Sequence, residues 1–141
     1  YLVIPDALKD SQEVFNAATI ANRVMGAVNA PSLMQRVIKR CVDENVNLEA
    51  YDRNRNLLYN GLRDLGFECI KPEGAFYLFL KSPEADEKKF CASCKKYNIL
   101  VVPGSSFACP GYVRISYCVS YGQIERSLPA FRKVAADYGL V

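Results

Sequence analysis

The feature that most constrains this chain is a change of apolar rhythm near residue 66. Before it, apolar residues recur at helical spacing. After it come Phe67-Glu68-Cys69-Ile70, the six-residue run Ala75-Phe76-Tyr77-Leu78-Phe79-Leu80, the β-branched segment Ile99 to Val102, and the alternating stretch Tyr112 to Tyr117. Strict alternation marks a half-buried strand, and an unbroken apolar run of this length predicts a strand covered on both faces. Both rhythms in one 141-residue chain predict one α/β domain, long enough to bury about 70% of the surface an unfolded chain exposes.

The helices follow from periodicity and end signals. A weakly periodic helix is expected over about 8–27, interrupted by Gly26 and Asn29-Ala30-Pro31. Pro31 suits the first turn of the next helix, where Leu33, Val37 and Cys41 form one stripe through about residue 44. A better-defined helix has Asn47 as cap, Leu48, Tyr51, Leu58, Leu62 and Leu65 on one face, and Gly66 where a left-handed C-terminal residue is wanted. Ser82-Pro83 predicts a helix start running to about Tyr97, and Ser120-Tyr121-Gly122-Gln123 reads as a capping box for the last helix, which Pro129 should kink. The order is three helices, two strands, a helix, two strands and a helix. That predicts a two-layer α/β sandwich with a small, mostly antiparallel sheet.

Composition removes several functions. Eighteen basic against fifteen acidic side chains give +3, too mild a surplus for nucleic acid. No apolar run approaches the ~20 residues of a membrane span, and no signal-peptide pattern is present. Without a histidine, catalysis by imidazole and His-containing zinc sites are excluded within this chain. Six cysteines without a signal peptide predict reduced thiols and a cytoplasmic setting. Cys91-Ala92-Ser93-Cys94 falls mid-helix, away from the helix start that would lower a thiol pKa, and no second CxxC completes a metal site.

Arg114 is the most informative side chain. Alternation sets it opposite Val113 and Ile115, so it presents a fixed fork of donors suited to a carboxylate, or else an outward salt bridge. Pro103-Gly104-Ser105-Ser106-Phe107 is a tight small-residue loop, either a plain turn or a ligand border. Pro72-Glu73-Gly74-Ala75-Phe76 is a hairpin-type connection or a strand start that faces a ligand. Asn29-Ala30-Pro31-Ser32 reads as a helix start.

Four segments in this order, Asn29 to Gln35, Pro72 to Phe79, Val101 to Phe107 and Gly111 to Cys118, resemble the C-terminal portion of the class I/II aminotransferases. These are fold-type I pyridoxal-phosphate enzymes that include aspartate aminotransferase. The resemblance implies that Arg114 grips the substrate α-carboxylate, that Pro103, Gly104 and Phe107 border the substrate, and that Gly74 and Ala75 line the same cleft. It implies that Asn29 lies near a dimer interface and the cofactor. Tyr1 matches the tyrosine ending the phosphate-binding segment, so the Schiff-base lysine and phosphate-binding arginine are expected upstream of residue 1. The chain also opens on the apolar run Tyr1-Leu2-Val3-Ile4-Pro5 with no initiating Met or cap. It is therefore expected to be a piece of a longer protein, with 1–28 a connecting segment and 29–141 the substrate-clamping domain.

The implied function is transfer of an amino group between an amino acid and a 2-oxo acid by a pyridoxal-phosphate homodimer. The fragment alone is expected to be inactive, with no catalytic residue, no metal, and no nucleic-acid or membrane partner. Other pyridoxal chemistry on the same fold, such as a carbon–sulfur lyase or a decarboxylase, stays open. So do a non-catalytic α/β module for a ligand or partner and a thiol redox module.

Overall fold

A computed structural model of the chain describes residues 2–26 and 29–141. These form two compact units, Tyr1–Asn45 and Val46–Val141. The first contains α1 (Ser11–Val24) and α2 (Ser32–Cys41), and neither helix has a buried residue. Pro31 stands one place before the first helical residue of α2. The expected stripe of α2 is present, yet Leu33, Met34, Val37 and Ile38 are all exposed. Two short helices bring too little apolar surface together to close a core of their own.

The second unit holds every buried hydrophobic residue among those described. Its elements are α3 (Leu48–Asp64), β1 (Cys69–Ile70), β2 (Tyr77–Lys81), α4 (Glu87–Lys96), β3 (Val102–Pro103), β4 (Tyr112–Ser116) and α5 (Tyr121–Asp137), with a short 3-10 turn over Gly104–Phe107 before β4. The Asn47 side chain accepts the Ala50 N–H at 3.0 Å and caps α3. Gly66, with φ +81°, turns the chain after it. The four strands lie in the order β1-β2-β4-β3, each pair antiparallel. The fold is an α/β sandwich of helices on a small antiparallel sheet, as the sequence predicts.

Period-2 alternation then sorts the side chains. Leu78 and Leu80 of β2 and Val113 and Ile115 of β4 face the core with Leu58 and Leu62 of α3, Phe90 and Cys94 of α4, and Phe131 and Val134 of α5. Tyr77, Phe79, Tyr112 and Arg114 alternate with them and are half-buried.

Three local expectations are corrected. The run Ala75–Leu80 is covered on one face only, because Tyr77 and Phe79 lie opposite the helical layer. Helix α4 begins at Glu87 rather than Pro83, capped by Asp86, whose side chain accepts the Lys88 N–H at 3.0 Å. The Ser82 hydroxyl is instead occupied by its own turn, donating to Glu84 O at 2.6 Å and accepting the Glu84 N–H at 3.2 Å. Ser120 stands at the start of α5 without a side-chain capping bond, since its backbone oxygen receives the Gln123 N–H at 3.0 Å. The helix continues through Pro129. Pro129 and Glu125, the residue whose carbonyl loses its donor, are both exposed, so water can take that bond.

Candidate carboxylate-binding site

Arg114 lies in the middle of β4, paired with Phe79 on β2 and Val102 on β3. A strand bonded on both sides holds the residue's backbone far more firmly than a loop would. Its Cζ sits 3.7 Å from the Phe107 ring centroid and 4.0 Å from that of Tyr77. Each such contact contributes about 0.5–2 kcal/mol, depending on how far water is excluded. Both are cation–π contacts at the guanidinium carbon, and the planar fork of N–H donors is the part of the group suited to a carboxylate. Neither ion pair found among the described residues, Arg55–Asp52 and Lys81–Glu68, includes Arg114. The arrangement is a fork of donors beside two aromatic rings, with no carboxylate paired to it among the described residues.

The neighbouring segments are placed by equally specific contacts. Pro103 ends edge strand β3 opposite Val113, a position where its missing N–H costs no ladder bond on the solvent side. Gly104 is buried, and a Cβ there would lie 2.2 Å from Cys109 O and 2.6 Å from Tyr112 O. Only glycine allows that approach. The turn that follows delivers Phe107 to Arg114. The structure thus brings Arg114, Phe107, Gly104 and Pro103 together.

Gly74 and Ala75 lie apart from this group, on a small pocket of about 250 Å³ lined also by Tyr51, Asp52, Arg55 and Tyr117. Arg55 donates to Pro72 O at 3.2 Å, and the Tyr117 hydroxyl donates to Ala75 O at 2.9 Å. Tyr117 follows β4 directly and is 1% exposed, so the loop and the Arg114 strand share one anchor. Asn54 of α3 reinforces it, its Nδ2 donating to Tyr117 O at 3.1 Å and Val119 O at 2.7 Å.

In the first unit, Asn29 is exposed on an open groove of about 910 Å³ lined by Leu2, Ile4, Phe15, Asn22 and Arg23 among others. Tyr1 lies outside the described residues. The resemblance implies pyridoxal phosphate bound through a Schiff-base lysine. All nine lysines of the chain are exposed, whereas a Schiff-base lysine is activated by desolvation or a neighbouring cation. Among the described residues there is also no cluster of three or more His, Cys, Asp or Glu able to hold a metal, and no helix long and apolar enough to cross a membrane.

Sequence reasoning missed Tyr77 as the second ring against Arg114, and Arg55, Asn54 and Tyr117 as anchors. Tyr77 is visible only once β2 is registered against β4, which sets it opposite Ser116 and two pairs from Arg114, on the same face.

The CxxC lies within α4. Burial pushes the Cys94 thiol up to about 12, and burial together with the nearby Glu87 carboxylate also raises Cys91. Cys69 is likewise pushed up to about 12 by burial. A thiol-exchange reagent at about pH 8, where only thiolates react, is therefore expected to label the exposed Cys41 and Cys118 in the folded chain. Cys69 and Cys94 should react only after denaturation. Rapid labelling of Cys94 in the folded state would contradict the burial described.

Residues 1–131 match the family model described as aminotransferase class I and II. An aminotransferase from Eubacterium rectale superposes with a TM-score of 0.86 at 44% identity, covering 96% of this chain and 34% of that one. The aromatic-amino-acid aminotransferase 2 of Thermococcus litoralis is 40% identical over 96 residues, which is 64% of this chain and 25% of that protein. The aspartate/prephenate aminotransferase of Thermus thermophilus is 41% identical over 88 residues, 61% of this chain and 23% of that protein. The chain spans about a quarter of the length of the curated relatives it matches. With 131 matched residues carrying both the helical segments and the Arg114 strand, the chain belongs to the class I and II aminotransferases.

Proposed function

We propose that this chain is the substrate-clamping part of a pyridoxal-phosphate-dependent aminotransferase, which moves an amino group between an amino acid and a 2-oxo acid. In this reading Arg114 receives the substrate α-carboxylate. The observation that carries it is the guanidinium stacked on Phe107 and Tyr77 without an acidic partner among the described residues. A carboxylate docking edge-on accepts two parallel charge-assisted bonds, each worth about 1.5–3 kcal/mol. The Phe107 and Tyr77 rings against the guanidinium limit its contact with water.

The cofactor supplies the electron sink for transamination, and in this proposal both it and its lysine are held by other parts of the enzyme. The exposure of every lysine here supports that division. A homodimer in a reducing, cytoplasmic compartment completes the reading. The apolar stripe of α2 offers such an assembly a surface, and the six free thiols agree with the compartment.

The division of labour is tested by incubating the 141-residue chain with pyridoxal phosphate and passing it over a gel-filtration column. The chain is expected to emerge without stoichiometric cofactor and without transaminase activity. Retention of one cofactor per chain, lost on substitution of a single lysine, would place the cofactor site here and reject the division.

A further inference from the structure

Glu87 is a carboxylate 8% exposed at the first residue of α4. Burying a charged group is costly unless it is satisfied, and a helix start compensates only part of that cost. Its remaining partners lie on the 3-10 turn and on the loop that leads from it to β4. Glu87 Oε2 accepts the Gly111 N–H at 3.3 Å. The Ser105 hydroxyl first, then the helix-start and loop N–H groups, hold the carboxyl below its usual range. Gly111 is also fixed from the other side, its oxygen accepting the Ser82 N–H at 2.9 Å.

Phe107 lies four residues before Gly111, where Glu87 meets the chain. The ring is 40% exposed and outside the buried core, so core packing does not set its position. Its backbone is held by the Cys109 N–H on Gly104 O at 3.0 Å on one side and by the Gly111 N–H on Glu87 on the other. From this geometry we infer that Glu87 is a positioning residue for the Arg114 clamp, holding the 105–111 segment so that Phe107 lies against the guanidinium. The catalytic relevance of this role rests on the carboxylate-binding reading above; the mechanical link to Arg114 does not.

The test reads the Arg114 Nε–Hε resonance of the nitrogen-15-labelled 141-residue chain, assigned by its loss in Arg114→Lys. Ring currents from Phe107 and Tyr77 set that resonance apart from those of exposed arginines. Glu87→Asp keeps the charge at the helix start and shortens the reach by one methylene. It is expected to move the Arg114 resonance toward the exposed positions and to speed Gly111 amide exchange by roughly tenfold. Glu87→Gln keeps an acceptor oxygen at full reach and is expected to restore both, whereas a generic role at the helix start would leave Arg114 unmoved in either variant. An Arg114 resonance unmoved in Glu87→Asp, or displaced as far in Glu87→Gln, overturns the inference. Acetate titrated onto the parent chain probes the clamp separately. An Arg114 signal that ignores acetate counts against carboxylate binding while the Glu87 linkage stands.

Discussion

Arg114→Ala, in an enzyme that contains this chain and its cofactor-bearing counterpart, is expected to lower kcat/KM for the amino-acid donor by roughly 30- to 1,000-fold. That range corresponds to about 2–4 kcal/mol of transition-state binding. The loss has two parts: the attraction between guanidinium and carboxylate, and the alignment that two parallel bonds impose. Arg114→Lys separates them. The ammonium restores a charge at similar reach but presents no planar fork and stacks less well on the Phe107 and Tyr77 rings, so it should recover only a fraction of the activity. Folding is the control here. Arg114 is half-buried and makes no salt bridge among the described residues. Loss of the Phe107 and Tyr77 contacts should lower the urea midpoint of Arg114→Ala by the equivalent of about 1–4 kcal/mol, and the comparison of activities is made where the variant is still folded. A kcat/KM unchanged in Arg114→Ala would remove this residue from the substrate site.

The second large effect is on stability. Gly104→Ala is expected to cost about 3 kcal/mol or more. The added methyl would lie 2.2 Å from Cys109 O and 2.6 Å from Tyr112 O. Both obstacles are backbone atoms, so no side-chain rotation relieves the clash. The turn would have to open, breaking the bond from the Cys109 N–H to Gly104 O, now 3.0 Å, and carrying Phe107 away from Arg114. Gly74→Ala is the matched control. Nothing lies within 4 Å of a Cβ at Gly74, so its stability should stay within about 0.5 kcal/mol of the parent. Equal urea midpoints for the two variants would show that the turn tolerates bulk, and the close-approach argument would fail.

Much of this fold was legible before any coordinates. Element order follows from rhythm, because Leu58 and Leu62 share a helical face while Val113 and Ile115 alternate with Arg114. The Asn47 cap and the Gly66 turn were readable because each depends on a few adjacent residues. Misreadings arose where two local signals competed. Ser82-Pro83 and Asp86-Glu87 both resemble helix starts, and the Ser82 hydroxyl had a nearer partner in Glu84. The apolar run through Leu80 could not reveal which face lacked a covering layer, since aromatic residues serve on either. Arg114 was visible through its alternation and the family resemblance. Its ring partner Tyr77 and the Glu87 carboxylate were not, because strand register sets Tyr77 beside it and Glu87 meets Gly111, a residue 24 positions away.

The two outer strands, β1 and β3, are only two residues long, and β3 ends in Pro103. Pairing with a further chain needs a row of free donors and acceptors, and neither border offers one of useful length. The sheet therefore ends at four strands. A polypeptide that leaves aromatic rings on one side of a sheet would ordinarily risk stacking into fibrils, and here the abrupt borders guard against that form of self-association.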